Sequence, residues 1–522
     1  MNRRGAEHAE AVPRIAFSAP SAPLRFKPSA AHAALIFAPM STTLTATALF
    51  PHANFINGTW TDTGDGTFNT VIDKYHGTDL ARIPHATEAQ MEDAIAAAYA
   101  SREVLRKLSA GERSAKLEAL AALIAKHEAE LAMLIVKEGG KPLGYAKAEI
   151  ARCVTTVKTA AAEALRFTGE SVALDYGAGA GKTALTKRFP VGVIAAITPF
   201  NFPMNLVLHK VAPAMAVGCP IVLKPAPQAP LSAIALGKLI EEIGWPKGAF
   251  SVLMCGVPVA EKLVKDDRVA MLSFTGSDKV GWHLKSICGK KKVALELGGN
   301  ASVIIDEGVD LAITAKTVAI GANIYAGQTC ISTQRIYVVA SVFSAFRDLL
   351  VKEYAALEAG DPSDAAVTVG PIIDKGHFER ISSWVAEAVK GGATVLSGAT
   401  AVDAARNIYA PTLLTGTKPD MKVSCAEVFG PVAILEQVAD FNEGIARIND
   451  STYGLQAGVF TNNFAHVKQA HEELEVGGVI INNVPGFRVD SMPYGGIKDS
   501  GLGREGVKYA MEEMSEPRLL VY

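Results

Sequence analysis

The sequence predicts an α/β fold of two parallel-sheet lobes with one separate β-hairpin, on three observations. After Pro190, short apolar runs alternate with helical stretches, the pattern of strands buried on both faces and joined by crossover helices. A second series of the same kind starts near Ala301. Between residues 171 and 189, two β-like runs flank a glycine-rich turn and belong to neither series.

Composition agrees with a folded enzyme-sized chain. Of 522 residues, 49% are apolar and 20% charged, too apolar for wholesale disorder. Lys plus Arg total 51 against 53 Asp plus Glu, so the net charge of −2 lacks the basic excess of a nucleic-acid binder. Lys290-Lys291-Lys292 is the local exception and reads as a solvated turn before a strand. No run of 18 apolar residues is present, so no membrane span is expected. Six cysteines without a CxxC pair are neither a disulfide framework nor a zinc site, which points to a cytoplasmic protein with no metal.

Residues 1–49 read as an extension outside the fold. They are rich in Ala, Ser and Pro, and Arg3 and Arg4 stand too far from the short apolar run near Ala33 for a secretory signal. An organelle transit peptide, a disordered extension and a start at Met40 all fit.

The elements follow in order. Thr87-x-x-Gln90 and Ser109-x-x-Glu112 are capping boxes that open two helices. In the second, Leu117, Leu120, Ile124, Leu131 and Leu134 keep helical spacing until Gly139-Gly140 and Pro142. A third helix covers about 145–167 and carries Glu149 and Arg152. The hairpin arms are 171–174 and 183–189. Gly181-Lys182-Thr183 is not a phosphate loop, because Tyr176 replaces its first glycine and a strand follows. Strands are expected at 191–197, 220–223, 250–255, 269–274 and 292–297, with helices at 232–243 and 258–265. The second series holds strands at 302–305, 335–339, 394–397 and 478–482, with helices at 310–325 and 342–358.

Four motifs carry chemistry. Pro199-Phe200-Asn201-Phe202-Pro203 follows a buried strand, which puts Asn201 at a site or in an Asx-turn. Phe274-Thr275-Gly276-Ser277 ends a strand and leads into a helix, a junction that favours phosphate. In Glu296-Leu297-Gly298-Gly299-Asn300, an acid ends an apolar strand and should resist ionisation, as a general base needs, unless it is simply solvent-exposed. In Gly327-Gln328-Thr329-Cys330, a cysteine among small residues is more reachable than Cys153 or Cys288 in helical patterns.

Together these motifs resemble those of the NAD(P)-dependent, non-acylating aldehyde dehydrogenase superfamily, in order and in spacing, with Glu296 and Cys330 34 residues apart (330 − 296). The resemblance extends to Lys224-Pro225-Ala226, to Glu427-Val428-Phe429-Gly430-Pro431 and to the segment Pro493-Tyr494-Gly495-Gly496 through Arg504-Glu505. It covers the chain from about residue 55. It implies two Rossmann-like parallel-sheet domains: one binding NAD or NADP (50–168 and 190–298) and one catalytic (299–490). A β-hairpin oligomerisation element (169–189 and 491–522) would then build a homodimer or homotetramer.

The resemblance also implies roles. Cys330 attacks the aldehyde carbon, Asn201 and the Cys330 backbone N–H hold the oxyanion, Glu296 activates water, and Lys210 supports the site. Phe200, Lys224, Gly276, Ser277, Glu427 and Phe429 meet the cofactor. Glu296 argues against transfer to coenzyme A, and the intact Cys330, Glu296 and Asn201 set argues against a non-catalytic structural relative. Pro227 stands where NAD-specific relatives often carry a Glu, so NADP should be tolerated. Substrate contacts are expected from Arg488, Phe202 and Arg152. Arg488 either meets the anionic or hydroxyl group of a short aldehyde or pairs with Asp490 or another acid.

Overall fold

All five residues of the Val193–Ile197 strand are buried, and so are three of four in Ile221–Lys224 and six of seven in Val269–Thr275. Strands apolar on both faces need parallel neighbours and helices on each side. In the computed structural model, which describes residues 51–522, they have both. The expectations for residues 1–49 lie outside the described residues.

The first sheet has eight strands in the order Thr59–Thr61, Asn54–Ile56, Phe250–Val252, Ile221–Lys224, Val193–Ile197, Val269–Thr275, Lys292–Glu296 and Gly501–Leu502. The five from Phe250–Val252 to Lys292–Glu296 run parallel. The chain winds outward from Val193–Ile197 in one direction, then crosses back to Val269–Thr275. Sheets with such a reversal bind ligands beyond the carboxyl ends of the strands at that point. The second sheet has seven strands, from Thr394–Ser397 through Arg335–Val339 to Gly478–Ile481. It is parallel except for the pair Thr394–Ser397 and Thr412–Thr415.

Three differences from the sequence reading have local causes. The expected second helix is two, Ala110–Lys126 and Glu128–Gly139, broken at His127 (φ −103°, ψ 22°), which bonds Glu130 through Nδ1 at 2.6 Å. The leucine spacing does not show the break, since both pieces bury their stripe on one core. Strands at Thr412–Thr415, Val432–Val438 and Gln456–Phe460 were not anticipated. The last contains Gly458, a poor strand former, but a Cβ there would lie 2.5 Å from the Asn483 carbonyl oxygen. Finally, the 491–522 tail is shared among three sheets, with Ile497–Lys498 pairing antiparallel with Tyr453–Gly454. Gly501–Leu502 pairs with Lys292–Glu296 in the first sheet, and only Ser515–Val521 joins the hairpin strands Ala184–Pro190 and Ser171–Val172.

Candidate active site

Cys330 owes its position to a strained turn. After the Leu311–Asn323 helix, Tyr325, Ala326 and Gly327 are successively left-handed (φ 52°, 53° and 67°). Such a conformation costs an L-residue roughly 1 kcal/mol or more. Tyr325 is held there by complete burial and by its hydroxyl, which donates to the Gly139 carbonyl at 2.6 Å. At Gly327 a Cβ would lie 2.0 Å from the Gly430 carbonyl oxygen, so only glycine fits. Buried Gln328 then pins the loop, its Oε1 accepting the Ile373 N–H at 2.9 Å.

Of the six cysteines, Cys153, Cys219, Cys255 and Cys288 are buried, Cys425 is exposed and Cys330 is partly exposed. The Cys330 sulfur lies 3.0 Å from the Tyr494 hydroxyl. Burial pushes its thiol up to about 12, with Tyr494 and Arg488 opposing and Glu427 and Glu296 adding. At rest it is therefore a neutral thiol that needs a base.

Glu296 ends its strand as a buried carboxyl whose two oxygens have no hydrogen-bond partner. Burial and then Glu505 raise it well above the carboxylate range, while Arg488, Lys210 and Arg504 pull it down. Asn201 lies on the loop after Val193–Ile197 and is buried. Its amide donates to the Gln328 carbonyl at 3.0 Å, which ties this loop to the cysteine loop. The amide's second hydrogen, together with the Cys330 backbone N–H, is a ready donor pair for an oxyanion.

A buried network of charges stands behind these groups. Lys210 donates to Glu505 at 2.9 Å and to Ser273 at 3.0 Å. Arg488 is also buried. It pairs with Glu505 at 3.2 Å, lies 3.6 Å over the Tyr494 ring and reaches His209 Nδ1 at 3.4 Å. Its acid partner is therefore Glu505, not Asp490. Burial would raise the Glu505 carboxyl, but Lys210, Arg488 and His209 hold it below the ordinary range. Asp490 faces His209 Nε2 at 3.0 Å and Arg152 at 2.6 Å. Arg152, expected as a second substrate contact, thus has its charge taken up by Asp490. Phe202 carries the Lys141 ammonium 3.7 Å from its ring centre. Lys141 pairs with Glu149, whose other oxygen accepts the Met204 and Asn205 N–H groups at 3.1 Å each and caps the helix after the Asn201 loop.

Of the residues expected at a dinucleotide, Lys224 ends a first-sheet strand, and Gly276 and Ser277 directly follow another. Lys224 ends its strand with no acid partner, its ammonium reaching only the Pro225 carbonyl at 3.3 Å. Ser277 caps the Asp278–Ile287 helix without a side-chain bond, so its hydroxyl is available, and the Thr275 hydroxyl is buried without a partner. The Gly276 N–H donates to the Glu296 carbonyl at 3.0 Å and binds the phosphate-type turn to the base strand. Glu427 is raised to about 7 by burial and accepts the Gly299 N–H at 3.0 Å. A Cβ at Gly298 would fall 2.3 Å from Glu427 Oε2. Phe200 and Phe429 meet edge to face at 5.8 Å. An orphaned hydroxyl, a free helix amino end and an unpaired cation at strand ends suit a dinucleotide's phosphates and ribose.

Sequence reasoning assigned no role to Tyr494, Glu505 or His209, and named Asp490 only as a pairing partner for Arg488. Tyr494 and Glu505 lay inside the quoted C-terminal motif. His209 and Lys210 are polar residues within Asn205–Val217, a helix buried along its whole length, and buried polar groups in an apolar helix are themselves a signal.

A thiol, a strand-end base and an amide donor beside dinucleotide-type strand ends define an oxidoreductase that works through sulfur. The aldehyde dehydrogenase family profile matches residues 60–520, and the chain belongs to that family; it is an NAD(P)-dependent oxidoreductase acting on an aldehyde. The 3-sulfolactaldehyde dehydrogenase of Priestia aryabhattai is 41% identical over 470 residues, covering 90% of this chain and 97% of that protein. Aldehyde dehydrogenase 21 of Physcomitrella patens, solved with its reaction product succinate, superposes with a TM-score of 0.88 at 40% identity, over 90% of this chain and 98% of that one. The glyceraldehyde-3-phosphate dehydrogenase of Methanocaldococcus jannaschii, solved with NADP, gives 0.83 at 37% identity, over 87% and 98%.

Proposed function

We propose that this enzyme oxidises a small polar or anionic aldehyde to the carboxylic acid through a Cys330 thioester, and that both NAD and NADP serve it. Cys330 gives up its thiol proton to water at its open side and adds to the carbonyl carbon, and the Asn201 amide and the Cys330 N–H receive the oxyanion. Lys224, Ser277, Gly276, Glu427, Phe200 and Phe429 would hold the nicotinamide cofactor, which when bound would supply the hydride acceptor. Pro227 presents no carboxylate to repel a 2′-phosphate. Glu296, desolvated and unpartnered, takes a proton from water, and that water attacks the thioester carbon. The carbon–sulfur bond breaks, the acid leaves, and Cys330 is regenerated. Lys210 and Glu505 neutralise each other beside this base and fix its surroundings.

The balance of charge around Glu296 carries the substrate reading. Arg488, Lys210 and Arg504 face it against the buried acid Glu505, which is held below the ordinary carboxylate range. Arg504 bonds only carbonyl oxygens, at 2.7 and 3.2 Å. The excess cation in a buried site favours a carboxylate, sulfonate or phosphate on the substrate. The relatives agree, since the Priestia enzyme is named for a sulfonated aldehyde and the Physcomitrella structure holds a dicarboxylate. Arg488 and Phe202 line the substrate in this reading, and Arg152 anchors the Arg488 segment through Asp490.

Cofactor reduction followed by absorbance with a panel of aldehydes tests it. Sulfonated, phosphorylated or carboxylated short aldehydes are expected to exceed propanal in kcat/KM. Arg488→Ala is expected to lower kcat/KM on the anionic substrates roughly tenfold more than on propanal, because a hydrogen bond to a charged group contributes about 1.5–3 kcal/mol. Equal losses on both, or a wild-type preference for long alkyl aldehydes, would refute it.

A further inference from the structure

Among the described residues, Tyr494 is the side chain hydrogen-bonded to Cys330 Sγ, at 3.0 Å. Its phenol is fixed on three sides. The ring is buried, the Arg488 guanidinium covers it at 3.6 Å, and its backbone exchanges two hydrogen bonds with Glu505, at 3.0 and 2.6 Å. Burial, with Cys330 and Glu296 adding and Arg488 opposing, keeps the phenol well above its usual range, so it retains its proton. A protonated hydroxyl facing an anionic sulfur can only donate to it.

We propose that Tyr494 is a catalytic residue: its hydroxyl donates to the Cys330 sulfur whenever that sulfur carries negative charge, first as attacking thiolate and again as the group expelled when the acyl–sulfur bond breaks. The inference rests on Cys330 being the nucleophile. The charged and titratable groups facing Cys330 are Tyr494, Glu427, Arg488 and Glu296. Glu427 and Glu296 disfavour the thiolate, Arg488 favours it from a distance, and Tyr494 bonds it directly. On ionisation the thiol proton leaves to water at the open side of Cys330, and the phenol keeps its own.

Alkylation of Cys330 by iodoacetamide at a fixed mildly alkaline pH, read by peptide mass on the full-length enzyme, tests the bond without requiring turnover. A charge-assisted hydrogen bond moves a thiol by about one to two pH units, and lower basicity returns roughly half of that on a logarithmic scale. Tyr494→Phe is therefore expected to slow alkylation about threefold to tenfold, and to lower kcat/KM for propanal and for anionic aldehydes alike. Replacing Tyr494 with 3-fluorotyrosine keeps the ring and strengthens the donor, so alkylation should be faster than in the native enzyme. A Phe variant that alkylates at the native rate, or two variants shifted in the same direction, would overturn the proposal. Turnover by Cys330→Ala would instead remove the nucleophile itself, a result distinguishable from an unchanged alkylation rate.

Discussion

The residues proposed as nucleophile and as base sit in different surroundings. Cys330 is partly open and bonded to a phenol, whereas Glu296 is closed in with both oxygens unpartnered. Both groups are raised by burial, to about 12 for the thiol and well above the ordinary value for the carboxyl. Each must lose a proton before it acts, so kcat/KM and the hydrolytic step should rise with pH and fail toward acid. Cys330→Ala is expected to abolish turnover with cofactor binding retained. Glu296→Gln should form the thioester and release it slowly, giving a burst of about one equivalent per site in stopped-flow absorbance. Full steady-state activity in either variant would disprove these roles. What could be read from the sequence depended on contiguity. Asn201, Glu296 and Cys330 lie in short motifs and were nameable. The Cys330–Tyr494, His209–Asp490 and Lys210–Glu505 pairs join residues 164, 281 and 295 positions apart, and no local pattern links them.

Helices and strands here are fastened to one another by buried polar groups as well as by apolar faces. Both capping boxes read from the sequence are closed, Thr87 with Gln90 and Ser109 with Glu112, because their chemistry spans only four residues. The Leu231–Glu242 helix starts within one residue of the 232 read from the sequence, but its cap was not legible, since it comes from a different helix. Glu138, fully buried near the end of Glu128–Gly139, accepts the Leu231 and Ser232 N–H groups at 2.7 and 2.9 Å and also the Ser232 hydroxyl. Burial raises its carboxyl to about 7, against the pull of those bonds. The folded state therefore binds this proton more tightly than the unfolded chain does. Between pH 4.5 and 7 the folded form carries more protons, so this group's stabilisation is complete in acid and fades as pH rises, by on the order of 3 kcal/mol. Glu138→Gln keeps an acceptor and cannot ionise. Urea midpoints at pH 5 and pH 8 should show the variant gaining relative to the native protein at pH 8, and an identical pH dependence of the two would exclude this account. Glu138→Ala, which strands the donors, should lose about 2–4 kcal/mol at both.

At the scale of the whole molecule, the proposed catalytic groups come from both sheets and are held in register by bonds between them. Glu296 ends a strand of the first sheet, Cys330 precedes a strand of the second, and the Asn201 amide spans the two by donating to Gln328. The third, smaller sheet takes no part in this. Its order places Ser515–Val521 at one edge, paired on one side only with Ala184–Pro190. Leu519, Leu520, Val521 and Tyr522 are exposed there, with relative accessibilities of 55%, 55%, 41% and 68%. A seven-residue edge strand with an apolar end, uncovered among the described residues, invites pairing with another chain. The oligomer expected from the sequence should therefore be built on this edge, each copy contributing on the order of 800 Å² as a stable interface needs. Light scattering coupled to gel filtration should give a mass of two or four chains. Leu519→Lys combined with Val521→Lys places charge on exposed positions without removing the strand from the hairpin, and it should reduce the mass to one chain. Near-native aldehyde oxidation should persist per chain, because every proposed site residue lies within a single copy. An unchanged mass in that variant would place the interface elsewhere on the surface.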